Sequence, residues 1–343
     1  MVNIRQVAKK AGVSVATVSR VLNHPDTVSP RTMEQVLETM KELRYTPNGL
    51  ARSLALKKTS TIALLIPNIL NPLYPQVAKG VEDVAHQKGY NVLLCNTEEN
   101  EHKERDYLEM LMEKRVDGLI LTSSLLRKVD FDQIKEKQIP FVMIGKNAGN
   151  IEANRVFTDY ILGGYLATQH LIEIGYTVIA HISGPKSQLK SQEKQQGYEK
   201  ALKEANIPFD EKYIVEGDNE IEGGYLAAKK LLKLTNPPQA VFAANDLMAI
   251  GAIEAIKSEG LTVPGNVAIV GFDDIKISSL IEPKLTTISQ PVYKMGLIAA
   301  RLLFDYIENN LEEEDFQQNI FIQPKLMVRK SCGCEERVRE IFS

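Results

Sequence analysis

Residues 4–23 read Ile4-Arg5-Gln6-Val7-Ala8-Lys9-Lys10-Ala11-Gly12-Val13-Ser14-Val15-Ala16-Thr17-Val18-Ser19-Arg20-Val21-Leu22-Asn23. Their spacing predicts two short helices joined by a tight turn. Ile4, Val7, Ala8 and Ala11 fall at i, i+3, i+4 and i+7, one buried stripe over Ile4 to Ala11. Gly12 ends that helix, because glycine tolerates the positive φ of such a turn, and Ser14 is placed to cap the next by accepting a backbone N–H. On the second helix Val18, Val21 and Leu22 share a face that packs on the first. The opposite face carries Ala16, Ser19, Arg20 and Asn23, with Val15 at its leading end; these side chains are small or hydrogen-bonding, as a helix entering a major groove requires. An ordinary amphipathic helical hairpin is the competing reading of these residues.

Ser29-Pro30 is a cap followed by a first-turn proline, and Met33, Val36, Leu37, Met40 and Leu43 continue a helical stripe to Tyr45-Thr46-Pro47. Three helices close a small core. Asn48 is placed to cap a further helix from Gly49 to about Leu56, too short to hold in water unaided and so expected to fold against a partner. Charge agrees. Residues 1–58 hold ten Lys/Arg against four Asp/Glu, an excess of six, while the whole chain is at −3, which leaves −9 for the remainder. A basic head on an acidic body places phosphate contacts at one end.

Beyond Lys57-Lys58 the texture changes. Ile62–Ile66, Val92–Cys95, Gly118–Leu121 and Phe141–Ile144 read as strands buried on both faces, alternating with helical patterns at Tyr74 to Lys88, Lys103 to Lys114 and Phe131 to Lys137. The pattern restarts with Val178–Ile182, Ala240–Ala244 and Val267–Gly271. The expected fold class is an all-α helix-turn-helix head plus two doubly wound α/β units with parallel sheets. Ile161-Leu162-Gly163-Gly164-Tyr165-Leu166-Ala167 recurs as Ile221-Glu222-Gly223-Gly224-Tyr225-Leu226-Ala227, an echo expected of two halves built alike.

In open α/β sheets ligands sit beyond the carboxyl ends of the strands. The residues there are polar almost every time: Asn68, Asn71 and Tyr74; Asn96-Thr97; Thr122-Ser123-Ser124; Ser183; Asn245-Asp246; Asp273-Asp274. Amides, hydroxyls and carboxylates around an aromatic suit a polyhydroxylated ligand, although any one of these residues serves equally as a helix cap. No G-x-G-x-x-G or P-loop pattern supports a nucleotide, and no cofactor is expected. Five scattered histidines form no triad or metal spacing, so an enzyme is not expected. Three cysteines argue against a disulfide framework; Cys332 and Cys334 are expected to be unpaired thiols on a tail rather than metal ligands with Cys95. No apolar run approaches a membrane span and no signal peptide opens the chain, which points to the cytoplasm.

Residues 3–58, with Ala8-x-x-Ala11-Gly12-Val13-Ser14, Thr17-Val18-Ser19-Arg20-Val21-Leu22-Asn23, Tyr45-x-Pro47-Asn48 and Ala51-Arg52-Ser53-Leu54, resemble the DNA-binding head of the LacI/GalR family of bacterial repressors. Residues 60 to about 330 resemble the family's effector core, of type I periplasmic binding protein architecture, through Asn71-Pro72, Gly163-Gly164, Asn245-Asp246, Gly271-Phe272-Asp273-Asp274 and Pro283-x-Leu285-Thr286-Thr287-Ile288-x-Gln290-Pro291. The resemblance implies a helix-turn-helix domain at 1–47, a hinge and linker at 48–59, subdomains of 60–160 plus 291–321 and 161–290 plus 322–336, and a tail at 337–343.

It also implies a homodimer, with higher assembly left open, that binds a double-stranded, near-palindromic DNA operator in the bacterial nucleoid. Ser14, Val15, Ala16, Thr17, Ser19, Arg20, Asn23, Arg52 and Leu54 would then bind DNA, with Val15, Ala16 and Arg20 reading bases in the major groove and Leu54 wedging into the minor groove. Arg20 would bond a guanine or, equally, a phosphate. An effector, expected to be a sugar or derivative, would meet Asn71, Leu73, Tyr74, Ser123, Asp159, Lys194, Asn219, Asn245, Asp246 and Asp273. One position departs from the family pattern: Lys194 stands where arginine is usual, and a planar bidentate grip is lost. A phosphorylated protein corepressor is therefore an alternative controller, and a cytoplasmic sugar-binding module without an operator an alternative of another class.

Overall fold

The computed structural model describes residues 2–23, 25–45, 58–122, 124–146, 151–309 and 318–334. The chain divides into two units, Met1–Thr61 and Ile62–Ser343. The expected hinge helix, with Arg52 and Leu54, and the residue Ser123 lie outside the described residues, as do the side chain of Asn23 and the tail.

In the first unit α1 (Ile4–Lys10), α2 (Val15–Asn23) and α3 (Pro30–Glu42) surround a core of Val7, Ala8, Ala11, Val18, Val21, Val36 and Met40. The turn forms as the residues dictate. Gly12 takes φ +62°, and Ser14 Oγ accepts from the Thr17 amide at 3.0 Å. Ser29 caps α3 through the Thr32 amide at 3.3 Å, with Pro30 opening the helix. Gln35 Nε2 donates to the Ala11 carbonyl at 3.0 Å and ties α3 to the turn.

Among its described residues the second unit holds two six-stranded sheets. The first contains β1 (Thr61–Ile66), β2 (Asn91–Asn96), β3 (Gly118–Thr122), β4 (Phe141–Ile144), β5 (Asn154–Thr158) and β11 (Asn319–Ile322), in the order β11-β5-β4-β3-β1-β2. Strand β1 shows why its run is apolar throughout. Ile62, Leu64 and Ile66 meet the helices α4 (Leu73–Gln87) and α11 (Val292–Asn309), while Ala63 and Leu65 meet α5 (Glu101–Glu113) and α6 (Lys128–Glu136). The expectation of burial on both faces fails at β2, where Leu94 is 41% exposed, because β2 closes the edge of the sheet.

The second sheet contains β6 (Ile179–Ser183), β7 (Ile214–Glu216), β8 (Ala240–Ala243), β9 (Ala268–Asp273), β10 (Thr286–Ser289) and β12 (Lys325–Met327), in the order β12-β10-β9-β8-β6-β7. β12 runs antiparallel to β10 and β9 parallel to it. The helices α7 (Tyr160–Glu173) and α8 (Leu189–Glu204) cover one face, α9 (Ile221–Leu232) and α10 (Asp246–Ser258) the other. The chain passes between the sheets after β5, after β10 and between β11 and β12.

The glycine echo has another meaning than two similar halves, since both copies lie on the second sheet. A Cβ on Gly164 of α7 would meet the Lys194 carbonyl oxygen at 2.2 Å, and one on Gly197 of α8 the Ile161 carbonyl at 2.1 Å. Gly224 meets the Met248 carbonyl at 2.2 Å and Gly251 the Ile221 carbonyl at 2.0 Å in the same reciprocal way. The motif lets two helix pairs pack backbone against backbone. Cys332 likewise departs from expectation: it is fully buried in the core beside Val270 and Phe272, not on a tail.

Candidate functional site

The head presents one side of α2 to solvent. Val18 and Val21 are buried, whereas Ser14, Val15, Ala16 and Arg20 are exposed and Thr17 and Ser19 half-buried. Val15, at the amino end, is 41% exposed. An apolar side chain is thus held out at the start of the helix, and a guanidinium is exposed five residues further on. Ser14 and Thr17 are bound up with each other, hydroxyl to hydroxyl at 2.9 Å, and shape the helix entrance.

In the second unit a cavity of about 570 Å³ opens where the strands of both sheets end. Asn68, Asn71, Asn96, Glu98, Glu99 and Thr122 reach it from the first sheet; Asp218, Asn219, Glu220, Asn245 and Asp273 reach it from the second. Tyr74, Leu73, Tyr160, Lys190, Lys194 and Gln290 also line it. Polar contacts join elements of the two sheets around this cavity and the space beside it. Asn68 Nδ2 donates to Glu220 Oε1 at 2.9 Å, and Gln188 Nε2 donates to Glu99 Oε2 at 2.8 Å. Lys146 pairs with Glu193 at 2.8 Å. A neighbouring space of about 520 Å³ shares Glu99, Tyr160 and Lys190 with the first.

Of the ten expected effector residues, Asn71, Leu73, Tyr74, Lys194, Asn219, Asn245 and Asp273 line the cavity. Asp159 and Asp246 are not among the lining residues. Asp159 caps α7 through the Leu162 amide at 2.8 Å. Asp246 is fully buried and accepts from Ser278 Oγ at 2.6 Å, Thr287 Oγ1 at 2.5 Å and the Ile275 amide at 2.9 Å. Burial, then the nearby Asp273 charge, push its carboxyl up to about 7. These bonds tie the start of α10 to β10 and to the loop that precedes it. Asn245 both caps α10 through the Met248 amide and donates to the Asn219 carbonyl at 2.8 Å, so the two amides stand together at the wall.

Lys194 is 5% exposed and its ammonium is already engaged. Nζ donates to the Ala244 carbonyl at 2.6 Å and sits 3.8 Å from the centroid of Phe272. Burial lowers its pKa to about 8, against the opposing pull of Asp273. Asp273 takes φ +110° and its Oδ1 accepts from Gln290 Nε2 at 2.7 Å. Burial raises its carboxyl, with Lys194, Gln290 and Lys190 pulling the other way.

Residues 3–48 match the family described as bacterial regulatory proteins, lacI family, and residues 59–330 the one described as periplasmic binding proteins and sugar binding domain of LacI family. The chain belongs to the LacI family. Catabolite control protein A of Priestia megaterium is 38% identical over 92% of this chain and 96% of its own length. The solved cellobiose complex of the regulator CelR is 34% identical, with a TM-score of 0.73, over 96% of this chain and all of that one. The Lac repressor dimer bound to operator and the anti-inducer ONPF is 28% identical, with a TM-score of 0.85, over 96% and 99%. This LacI-family chain is a DNA-binding transcriptional regulator under effector control.

Glu98, Glu99, Tyr160, Lys190, Asp218 and Glu220 of this regulator were not among the sequence candidates. Lys190 was within reach of sequence reasoning, since it stands four residues before Lys194 and so on the same face of α8. Tyr160 opens α7, and the others sit in loops whose paths only the packed sheets fix. Among the described residues no group of His, Cys, Asp and Glu could hold a metal ion, and no helix is long and apolar enough to cross a membrane.

Proposed function

We propose that this chain is a homodimeric, cytoplasmic repressor that holds α2 in the major groove of a near-palindromic operator and senses a small polyhydroxylated ligand in the cleft. The observation that carries the reading is the pairing of an exposed α2 face on a basic head with a polar cavity built from the strand ends of two sheets. The ligand would meet Asn71, Tyr74, Asn219, Asn245 and Asp273, and Ser123 belongs to the same proposal by its place after β3. Arg52 and Leu54 would act at the operator centre, Leu54 by wedging into the minor groove.

Two features support a dimer. Leu226, Ile277 and Leu280 are 60%, 46% and 61% exposed, apolar side chains that a second copy would cover. A palindromic site also demands two heads related by a twofold axis. Light scattering of Leu280→Glu is the direct check: a monomer with weakened operator binding is expected, and an unchanged dimer would remove this surface from the interface.

Control would follow from linkage. A ligand that binds one relative setting of the two sheets more tightly shifts the population toward it, and operator affinity changes with it; the operator must change ligand affinity by the same factor. Titration of a labelled operator with and without cellobiose, ribose and other neutral sugars tests the whole reading. Operator affinity indifferent to every small molecule would remove the effector role, and binding flat in salt would remove the phosphate contacts expected of the basic head.

A further inference from the structure

We propose that the cleft takes an uncharged polyhydroxylated ligand and that Glu99 excludes phosphorylated ones, by standing on the boundary of the two spaces and occupying Lys190. The inference rests on the reading of the cleft as the effector site and names the class of ligand it admits.

Charge around the larger space is one-sided. Five carboxylates line it, Glu98, Glu99, Asp218, Glu220 and Asp273, against two ammonium groups, Lys190 and Lys194. Lys194 is already taken by a carbonyl and a ring. Lys190 lines both spaces, and its ammonium lies 3.9 Å from Glu99 Oε1. Burial alone would lower it, but Tyr74, Glu99 and Asp273 outweigh burial and hold it above its ordinary value. Among the described residues no cation of the larger space is left unengaged to receive a phosphate of about −1.5 to −2 charge.

Four of the helix ends at the cleft give no substitute. At α8 the anion's place beside Gln188 and Lys190 is filled by the Glu99 carboxylate itself. At α4 the Leu73 amide is given to Asn71 Oδ1 at 3.0 Å, and at α10 and α9 the first turns carry Asp246 and Glu222. Glu99 is held in this position by its backbone: Glu98 and Glu99 both take left-handed φ, +55° and +54°, a conformation that non-glycine residues adopt at a cost. The smaller space has more cations, but Arg127 is paired with Glu101 at 2.7 Å, Lys146 is paired with Glu193 at 2.8 Å, and Lys128 is exposed to solvent. Hydroxyls, by contrast, find both donors and acceptors among Asn71, Asn219, Asn245 and the carboxylates.

The test is calorimetric titration of the full chain with matched pairs: glucose, ribose and cellobiose, each against its monophosphate. For any sugar that binds, the monophosphate is expected to bind at least about tenfold more weakly. Glu99→Gln, a change at a partly exposed position, is expected to narrow that ratio by freeing Lys190. A monophosphate that binds as tightly as its parent sugar, or a ratio untouched by Glu99→Gln, overturns the inference and leaves the effector reading standing. Binding of none of the six overturns both.

Discussion

Lys194 Nζ donates to the main-chain carbonyl of Ala244 at 2.6 Å, across from the end of β8, while its own carbonyl oxygen would lie 2.2 Å from a Cβ on Gly164. One residue thus pins α8 to the sheet at its side-chain end and to α7 at its backbone. Lys194→Met leaves the Ala244 oxygen without its donor and Asp273 without its nearest cation. A loss of about 1–3 kcal/mol is expected in urea unfolding. Full stability would mean that a water replaces the ammonium.

Gly224→Ala places a methyl 2.2 Å from the Met248 carbonyl oxygen and 2.4 Å from its Cα, both backbone atoms that cannot turn aside. The overpacking should cost about 1–3 kcal/mol, or roughly 3–10 °C of melting temperature. Scanning calorimetry measures it. Alanine tolerated without a shift would mean that α9 and α10 slide apart freely.

His181 is fully buried, stacked 4.7 Å from Phe242 and 5.4 Å from Tyr198, with Nδ1 on the Phe242 carbonyl at 2.9 Å. Burial lowers its pKa to about 4. The folded value lies below the unfolded one, so the contribution is present above about pH 6.5 and is lost as pH falls toward 4. His181→Gln keeps an N–H for the carbonyl and does not titrate. The stability of the wild type relative to this variant should therefore fall by about 2 kcal/mol between pH 7 and 5. Parallel pH profiles for the two proteins would contradict the assignment.

Arg20→Ala should weaken operator binding by about 1–3 kcal/mol and relax preference at one base pair of each half-site. Competition titrations with single-base operator variants measure this. Equal weakening on every sequence, with a salt slope smaller by about one, would make Arg20 a phosphate contact instead.

The parts legible in the sequence were those whose side chains answer to local rules. Ser14 and Ser29 cap because a hydroxyl three residues before an amide can do little else there, and β1, β3 and β4 read as buried because helices cover both their faces. β5, β7, β11 and β12 gave no apolar run, since they are short or half-exposed. β10 was hidden for another reason. Thr286 and Thr287 are fully buried, made tolerable by the Arg329 amide donating to one hydroxyl and by Asp246 accepting from the other.

By itself the sequence determined the helix-turn-helix, the α/β class, the basic head and the polar character of the strand ends that line the cavity, because periodicity, capping and charge are properties of neighbours along the chain. Only the tertiary structure decided that Asp246 is a buried lock, that the repeated glycines join helix pairs, and that Glu99 stands between Gln188 and Lys190. Those roles depend on which groups from distant segments meet, and a side chain's partner across a cleft is fixed by packing, not by spacing.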